Sequence, residues 1–332
     1  MKRFFTSIRT CLIVSLFLAL SHSAAAEIIS QNVPYLSLQE IASRLNMKFE
    51  WVVPQKTARL KSQWTTLEFR IHKRDATLNQ TKVFLGKPIL LHQGKLHVSR
   101  RDFDLTLSPL LTPQIFPNPP KLYHIVIDAG HGGKDVGTQN TRLGLKEKDL
   151  TLDMALRLKR SLEAHGYKVS LTRADNRFIK LEDRTLVANK LKADLFISLH
   201  LNAAANPRAY GIETFAMPLS SHPPTSRDKT VAGDKTHHPA NAKDPWNALV
   251  CYHVQNALCS HTGARDRGCK RARFVVLKAL NCPGVLIEGG FLTHPTEGQR
   301  LGSATYREKL VQAITKGILG YQKTLDRVRG RS

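Results

Sequence analysis

Residues 123–133, YHIVIDAGHGG, constrain the fold of this chain more than any other stretch. The first half is largely β-branched and apolar, the composition of a strand buried on both faces. Asp128, a small residue, a glycine, His131 and two more glycines then follow at once. An imidazole at the carboxyl end of a buried strand is placed for chemistry, since open sheets present their ligand sites there and glycines let backbone or ligand come close. Taken alone, the stretch is also compatible with a core histidine at a tight turn.

A second stretch has the same design. Residues 193–202, ADLFISLHLN, form another apolar strand that delivers His200 at its carboxyl end. Two such histidines on neighbouring strands suggest a metal, and a catalytic zinc usually has three protein ligands plus a water. Asp128, Asp135, Glu147, Asp149 and Glu213 are candidates for the third ligand. Glu147 is favoured because the loop after His131 returns the chain to the start of a helix packed on that strand, although a first-turn glutamate also simply suits the helix dipole. A third apolar run, VLIEGGF at 285–291, ends in Glu288 and two glycines. A carboxylate there is well placed as general base toward a metal-activated water.

The amino end reads as a processing signal: Lys2, Arg3 and Arg9, then an apolar run at 11–20, then Ala24-Ala25-Ala26. Residues 1–26 are therefore expected to be a signal peptide, too short in its apolar part to span a membrane. Nothing later in the chain approaches a transmembrane run, so an exported protein of the periplasm or cell envelope is expected. Removing the three basic residues of this segment lowers the formal charge only from +24 to +21. Such a field implies an anionic partner. Export and the lack of any recognition motif rank nucleic acid last and favour envelope polyanions. Cys251, Cys259, Cys269 and Cys282 contain no CxxC spacing, which disfavours a four-cysteine zinc site and leaves one or two disulfides open in an oxidising compartment. Cys251 and Cys259 lie two turns apart on a predicted helix, about 12 Å of rise, too far to pair with each other.

Residues 27–108 read as a small α+β domain: one short helix, LQEIASRLN, then alternating strands separated by polar turns. LSPLLTPQIFPNPP at 107–120 holds five prolines, and residues 109–120 are expected to be a linker. From 121 to 325 strand and helix alternate, which predicts an α/β fold with a mostly parallel central sheet flanked by helices. Residues 219–245 break the pattern and read as a long mobile surface loop, in which His222, His237 and His238 are solvated. A helix from Trp246 to Thr262, strands RFVVLK and GVLIEGGF, and a closing amphipathic helix from Tyr306 to Leu325 follow, with residues 326–332 left as a basic tail.

At this point the residues become recognisable. The motifs IVIDAGHGGKDVG, GLKEKDLTLDMA, EDRTLVANKLKADLFISLHLNAA, AYGIETF, RDRGCKRARFVVLK and CPGVLIEGGFLTHPTEGQRL occur in that order. Residues 121–325 thereby resemble the zinc-dependent N-acetylmuramoyl-L-alanine amidases, and the first domain loosely resembles copper-amine-oxidase-like amino-terminal domains. The resemblance implies a zinc amidase fold with Zn2+ held by His131, Glu147 and His200, and Glu288 as the catalytic glutamate. It further implies peptidoglycan as substrate and leaves an activator protein as an open partner. Asp128 is expected to orient the His131 ring, and Asn202 to contact substrate. Departures are small: Glu288-Gly289-Gly290-Phe291 stands where the family usually has E-L-G-F, and His294 where asparagine is common. Residues 219–245 have too little apolar periodicity for the inhibitory helix of some relatives. The ligand set does not by itself select the wall bond, so a hydrolase of another wall linkage and a silent wall-binding protein remain competing readings. Division, recycling and lysis are equally open roles.

Overall fold

The computed structural model describes residues 27–330; the expected signal segment and the last two residues of the expected tail lie outside that range. The chain opens with a hairpin, β1 (Ile28–Ser30) and β2 (Val33–Ser37), followed by α1 (Leu38–Arg44), which turns Leu38, Ile41 and Ala42 inward. An antiparallel meander comes next: β3 (Lys48–Val53), β4 (Thr57–Lys61), β5 (Thr66–Arg70), β6 (Asp75–Leu78) and β7 (Thr81–Phe84). Period-two alternation buries Ala58, Leu60, Leu67 and Phe69 on one face and puts Arg59 and Glu68 on the other. Strands β8 (Leu90–His92) and β9 (Lys95–Ser99) complete a four-stranded sheet of order β1-β2-β9-β8.

Ser99 caps the next segment, its Oγ accepting the Asp102 N–H at 3.1 Å. Helix α2 (Arg100–Asp102), a π turn (Phe103–Leu107) and α3 (Ser108–Leu111) then run on without a break. This corrects part of the expected linker. Pro109 sits in the first turn of α3, where its missing N–H leaves no hydrogen bond unmade. A 3₁₀ turn at Pro113–Ile115 follows, and Phe116 meets Trp246 edge-on at 6.3 Å.

Beyond residue 121, β10 (His124–Ala129) leads through a small hairpin, β11 (Gln139–Asn140) and β12 (Leu145–Lys146), into α4 (Glu147–Glu163). Next come β13 (Lys168–Leu171), α5 (Leu181–Lys190), β14 (Leu195–Asn202) and β15 (Ile212–Ala216). After a long connection the chain continues with α6 (Asp244–Thr262), β16 (Asp266–Arg271), α7 (Val275–Lys278) and β17 (Gly284–Phe291). Helices α8 (Pro295–Gly302) and α9 (Ala304–Arg329) end it, so the first residues of the expected basic tail are helical.

The order in space is β13-β10-β14-β17-β15-β16, and every pairing is parallel except β15 with β17. Central strands are apolar on both sides. Ile125, Ile197 and Val285 belong to one core, while Val126, Phe196 and Leu286 belong to a second core with Leu277 and Leu280. The sheet does not stop at β16: Cys269 bridges to Val83, and the β3–β7 meander continues it to eleven strands.

Two further expectations are corrected. The strand expected at RFVVLK lies instead at Asp266–Arg271, and Val275–Lys278 is a single helical turn. Short apolar runs do not distinguish strand from helix, and β16 reads as polar because Lys270 and Arg267 meet an acid on the sheet face. Residues 219–245 form an ordered strap. Asp234, 1% exposed, pairs with Arg227 and Arg273 at 2.7 Å each, and Arg74 of the first unit pairs with Asp228. Polar anchors hold it, so apolar periodicity could not reveal it. His222 is buried, 3.8 Å from Asp102, while the four cysteines are free thiols.

Helices α6 and α9 approach closely at Gly317, where a Cβ would stand 2.7 Å from Val254 Cα and 2.9 Å from the His253 carbonyl oxygen. Both are backbone atoms, so the helices must separate to admit a methyl. Gly317→Ala is expected to lose about 1–3 kcal/mol and to lower Tm by about 2–4 °C per kcal/mol. Thermal denaturation beside Gly233→Ala, whose added Cβ meets nothing within 4 Å, checks this; equal melting of the two variants would overturn it.

Candidate metal centre and catalytic face

Three parallel strands bring the site together at their carboxyl ends. Strand β10 releases Gly130 and His131, the latter at φ 62°, a left-handed conformation uncommon outside glycine. Gly130 is required by proximity: a Cβ there would stand 2.4 Å from Cε1 of His200. Helix α4 docks beneath through Thr151, whose hydroxyl donates to the Gly130 carbonyl at 2.8 Å. That contact places Glu147, the first residue of α4, between the two histidines. Its Oε1 lies 3.1 Å from His131 Nε2 and 3.1 Å from His200 Nδ1.

The ligand-capable atoms of His131, Glu147 and His200 lie within 4.8 Å of one another. Two backbone donors hold the buried glutamate: Leu201 N–H to Oε1 at 2.9 Å and Thr138 N–H to Oε2 at 2.8 Å. Burial opposes its charge, but the His131 and His200 rings outweigh burial and hold the carboxyl well below the usual range. His131 is shifted upward: burial lowers it, and Glu147 and Asp135 together overcome that. On the far side of the ring, Nδ1 meets Asp135 Oδ2 at 2.9 Å, which leaves Nε2 facing the cluster. Two imidazoles and a carboxylate aimed at one point are a donor set for a catalytic divalent metal.

Glu288 stands beside the cluster because β17 pairs it with His200 of β14. Its Oε2 is buried and has no hydrogen-bond partner among the described residues. Burial, then the charges of Glu147 and Glu213, push its carboxyl well above the ordinary value, against the pull of Lys270. An unpaired buried carboxylate oxygen is costly unless something outside the chain meets it. A metal and its water beside Glu147 would meet it, so the residues fit such a group.

The other sequence candidates lie elsewhere. Glu213 is opposite Glu288 on β15, but Arg267 at 2.6 Å, Lys270 at 2.5 Å and Asn202 at 2.7 Å occupy it. Asn202 is thereby held against Glu213. Asp149 is exposed on α4, outside the cluster. Asp128, expected to orient the His131 ring, does not reach it: its carboxylate accepts from Thr172, Ser198 and Arg184 at 2.7–2.9 Å. Strand β10 turns that side chain into the sheet, and Asp135 takes the expected role. Arg184 in turn donates to the His131 carbonyl at 2.9 Å. Arg173 donates to the carbonyls of Ala129, Gly130 and Lys148. Both arginines are nearly fully buried, and the sequence signals neither except as a charge set against an apolar strand or helix.

The N-acetylmuramoyl-L-alanine amidase family matches residues 125–320, and the copper amine oxidase N-terminal domain matches residues 20–107. AmiA of Escherichia coli (strain K12), an N-acetylmuramoyl-L-alanine amidase, is 35% identical over 235 residues, covering 63% of this chain and 79% of that protein. LytC of Bacillus subtilis (strain 168), of the same name, is 34% identical, with 60% of this chain and 35% of that protein covered. The crystal structure of an N-acetylmuramoyl-L-alanine amidase from Clostridium difficile 630 superposes with a TM-score of 0.51 at 35% identity, over 61% of this chain and 97% of that one. This chain belongs to the N-acetylmuramoyl-L-alanine amidase family, and it is an enzyme of that class.

Removing the Asp135 carboxylate frees the His131 ring to rotate. Asp135→Ala is therefore expected to weaken binding of a divalent cation at this cluster about 10- to 100-fold, with Zn2+ as the probe. Calorimetric titration with Zn2+ checks this, and wild-type affinity in the variant would overturn it.

Proposed function

We propose that the chain is an exported zinc amidase that hydrolyses the amide between the lactyl group of N-acetylmuramic acid and L-alanine in peptidoglycan. The carrying observation is the orphaned Glu288 carboxylate held in register with His200, beside the His131–Glu147–His200 cluster. Those three residues would hold the ion. Zinc there would polarise the scissile carbonyl and ease ionisation of the attacking water.

The chain's own groups supply the proton chemistry. Glu288 takes the proton of the attacking water and returns it to the amine of L-alanine as the bond breaks. A carboxyl that burial and two neighbouring acids push upward suits a group that must carry a proton between two transfers. Arg267 and Lys270 occupy Glu213, so it does not compete for that role. Asp135 keeps the His131 ring turned toward Glu147, the His131 and His200 rings hold the Glu147 carboxyl below its ordinary range, and Leu201 and Thr138 N–H groups fix its position.

The basic and apolar runs of residues 1–26 support export to the periplasm or another envelope compartment. Among the described residues no helix is long and apolar enough to cross a membrane. A protein activator is a further proposal, supported by the CwlD amidase from Clostridioides difficile, solved in complex with the GerS lipoprotein and 29% identical to this chain with a TM-score of 0.51.

The test is digestion of purified peptidoglycan by the mature protein, with products read by mass spectrometry. Intact stem peptides with free L-alanine amino ends are expected. Release should stop with chelator, return with Zn2+, and fall about 100- to 10,000-fold in Glu288→Gln. Fragments with other ends, or release that survives chelation, would overturn the reading.

A further inference from the structure

Side-chain parity along the fused sheet extends the catalytic face well past Glu288. Glu213 of β15 lies opposite Glu288, and β16 pairs Gly268 with Glu213 and Lys270 with Phe215. The bridge between Cys269 and Val83 aligns β7 with β16. Because successive residues alternate faces, Lys82 and Phe84 share the face of Lys270 and Glu288. The row continues through Thr77, Glu68, Arg59 and Glu50, each paired with the next across adjacent strands. One surface therefore runs from the catalytic centre onto the first unit without a break.

Its near half is basic over an aromatic floor. Lys82 and Lys270 lie over the Phe84 ring at 5.9 and 5.8 Å, and Arg267 over Phe291 at 4.7 Å. Glu213 takes two of these cations, and Lys82 stands 3.9 Å from Asp75, which Arg70 holds more closely at 3.2 Å, so Lys82 is the least committed of the three. Arg265, exposed over Tyr210, adds another at the rim. The far half is closed to anions: Arg59 is taken by Glu50 and Glu68 at 3.0 Å each. The basic stretch from β17 to β7 is three strand steps, about 14 Å. An extended peptide of four residues covers about the same span.

Resting on the amidase reading above, we infer that this joint face seats the carboxylate-bearing stem peptide of the substrate. The scissile amide lies at Glu288 and the peptide's free carboxylates lie toward Lys270 and Lys82. The first unit is then part of the substrate site through β7. A neutral glycan would gain little here, since cations already cover the rings it would stack on.

The test compares kcat/KM on a muramoyl tetrapeptide carrying free side-chain and terminal carboxylates with that on the same peptide carrying carboxamides. Wild type is expected to prefer the carboxylate form about tenfold, the scale of one charge-assisted contact. Lys82→Ala should lose most of that preference through KM, and Lys82→Arg should keep it. Thermal melting verifies folding, with Lys82→Gln as the substitute if Lys82→Ala melts early. No preference in wild type, or full preference in Lys82→Ala, overturns this inference and leaves the amidase reading standing. A wild type that cleaves neither form overturns the amidase reading, and this inference with it.

Discussion

The buried pair between Arg184 and Asp128 is the contact on which the site depends. The side chains are 2% and 0% exposed and 2.9 Å apart. Asp128 also ties β10 to Thr172 and Ser198, and Arg184 also holds the carbonyls of Ala129 and His131. Two adjacent strands, α5 and the backbone of His131 therefore meet at one ion pair. Such a pair adds little net stability over an apolar substitute, but removing one partner leaves a buried charge unmet and typically loses about 3–5 kcal/mol. What it provides here is position. His131 sits in a left-handed conformation that a free loop would relax, and Arg184 and Arg173 clamp its carbonyl and those of the two residues before it.

Electrostatics separate the three acids of the site. Glu147 is surrounded by imidazoles and backbone donors, and the rings hold its carboxyl below the ordinary range, while Glu213 is paired with two cations. Glu288 has no such partner: burial and two negative neighbours push its carboxyl upward against the pull of Lys270. Acids whose surroundings drive them apart in this way are suited to different tasks. The division is set by which strand each acid stands on.

A second organising feature is the join between the units. A single bridge at Val83 and Cys269 would be a weak link by itself. It is reinforced by Lys82 N–H to Asp266 at 2.7 Å and by the strap, through Arg74 with Asp228 and Lys87 with Thr230. The strap leaves β15 at Ala216, the end away from Glu288. Orientation of the meander is thereby held by polar contacts on both sides of one short strand pairing.

By itself the sequence determined the alternating strand–helix plan, the two strand-end histidines and the strand-end glutamate, because apolar runs of four to eight residues that end abruptly in polar or small residues carry their meaning locally. It also narrowed the third ligand to five acids and favoured Glu147 through chain connectivity. Only the tertiary structure decided which carboxylate orients His131, because Asp128 and Asp135 lie within four residues of that ring on either side and differ in the direction the backbone sends them. The strap, the strand at 266–271 and the fusion of the two units were illegible for the same reason. They rest on ion pairs and on one bridge between residues 186 positions apart, and such contacts leave no periodic trace in the chain.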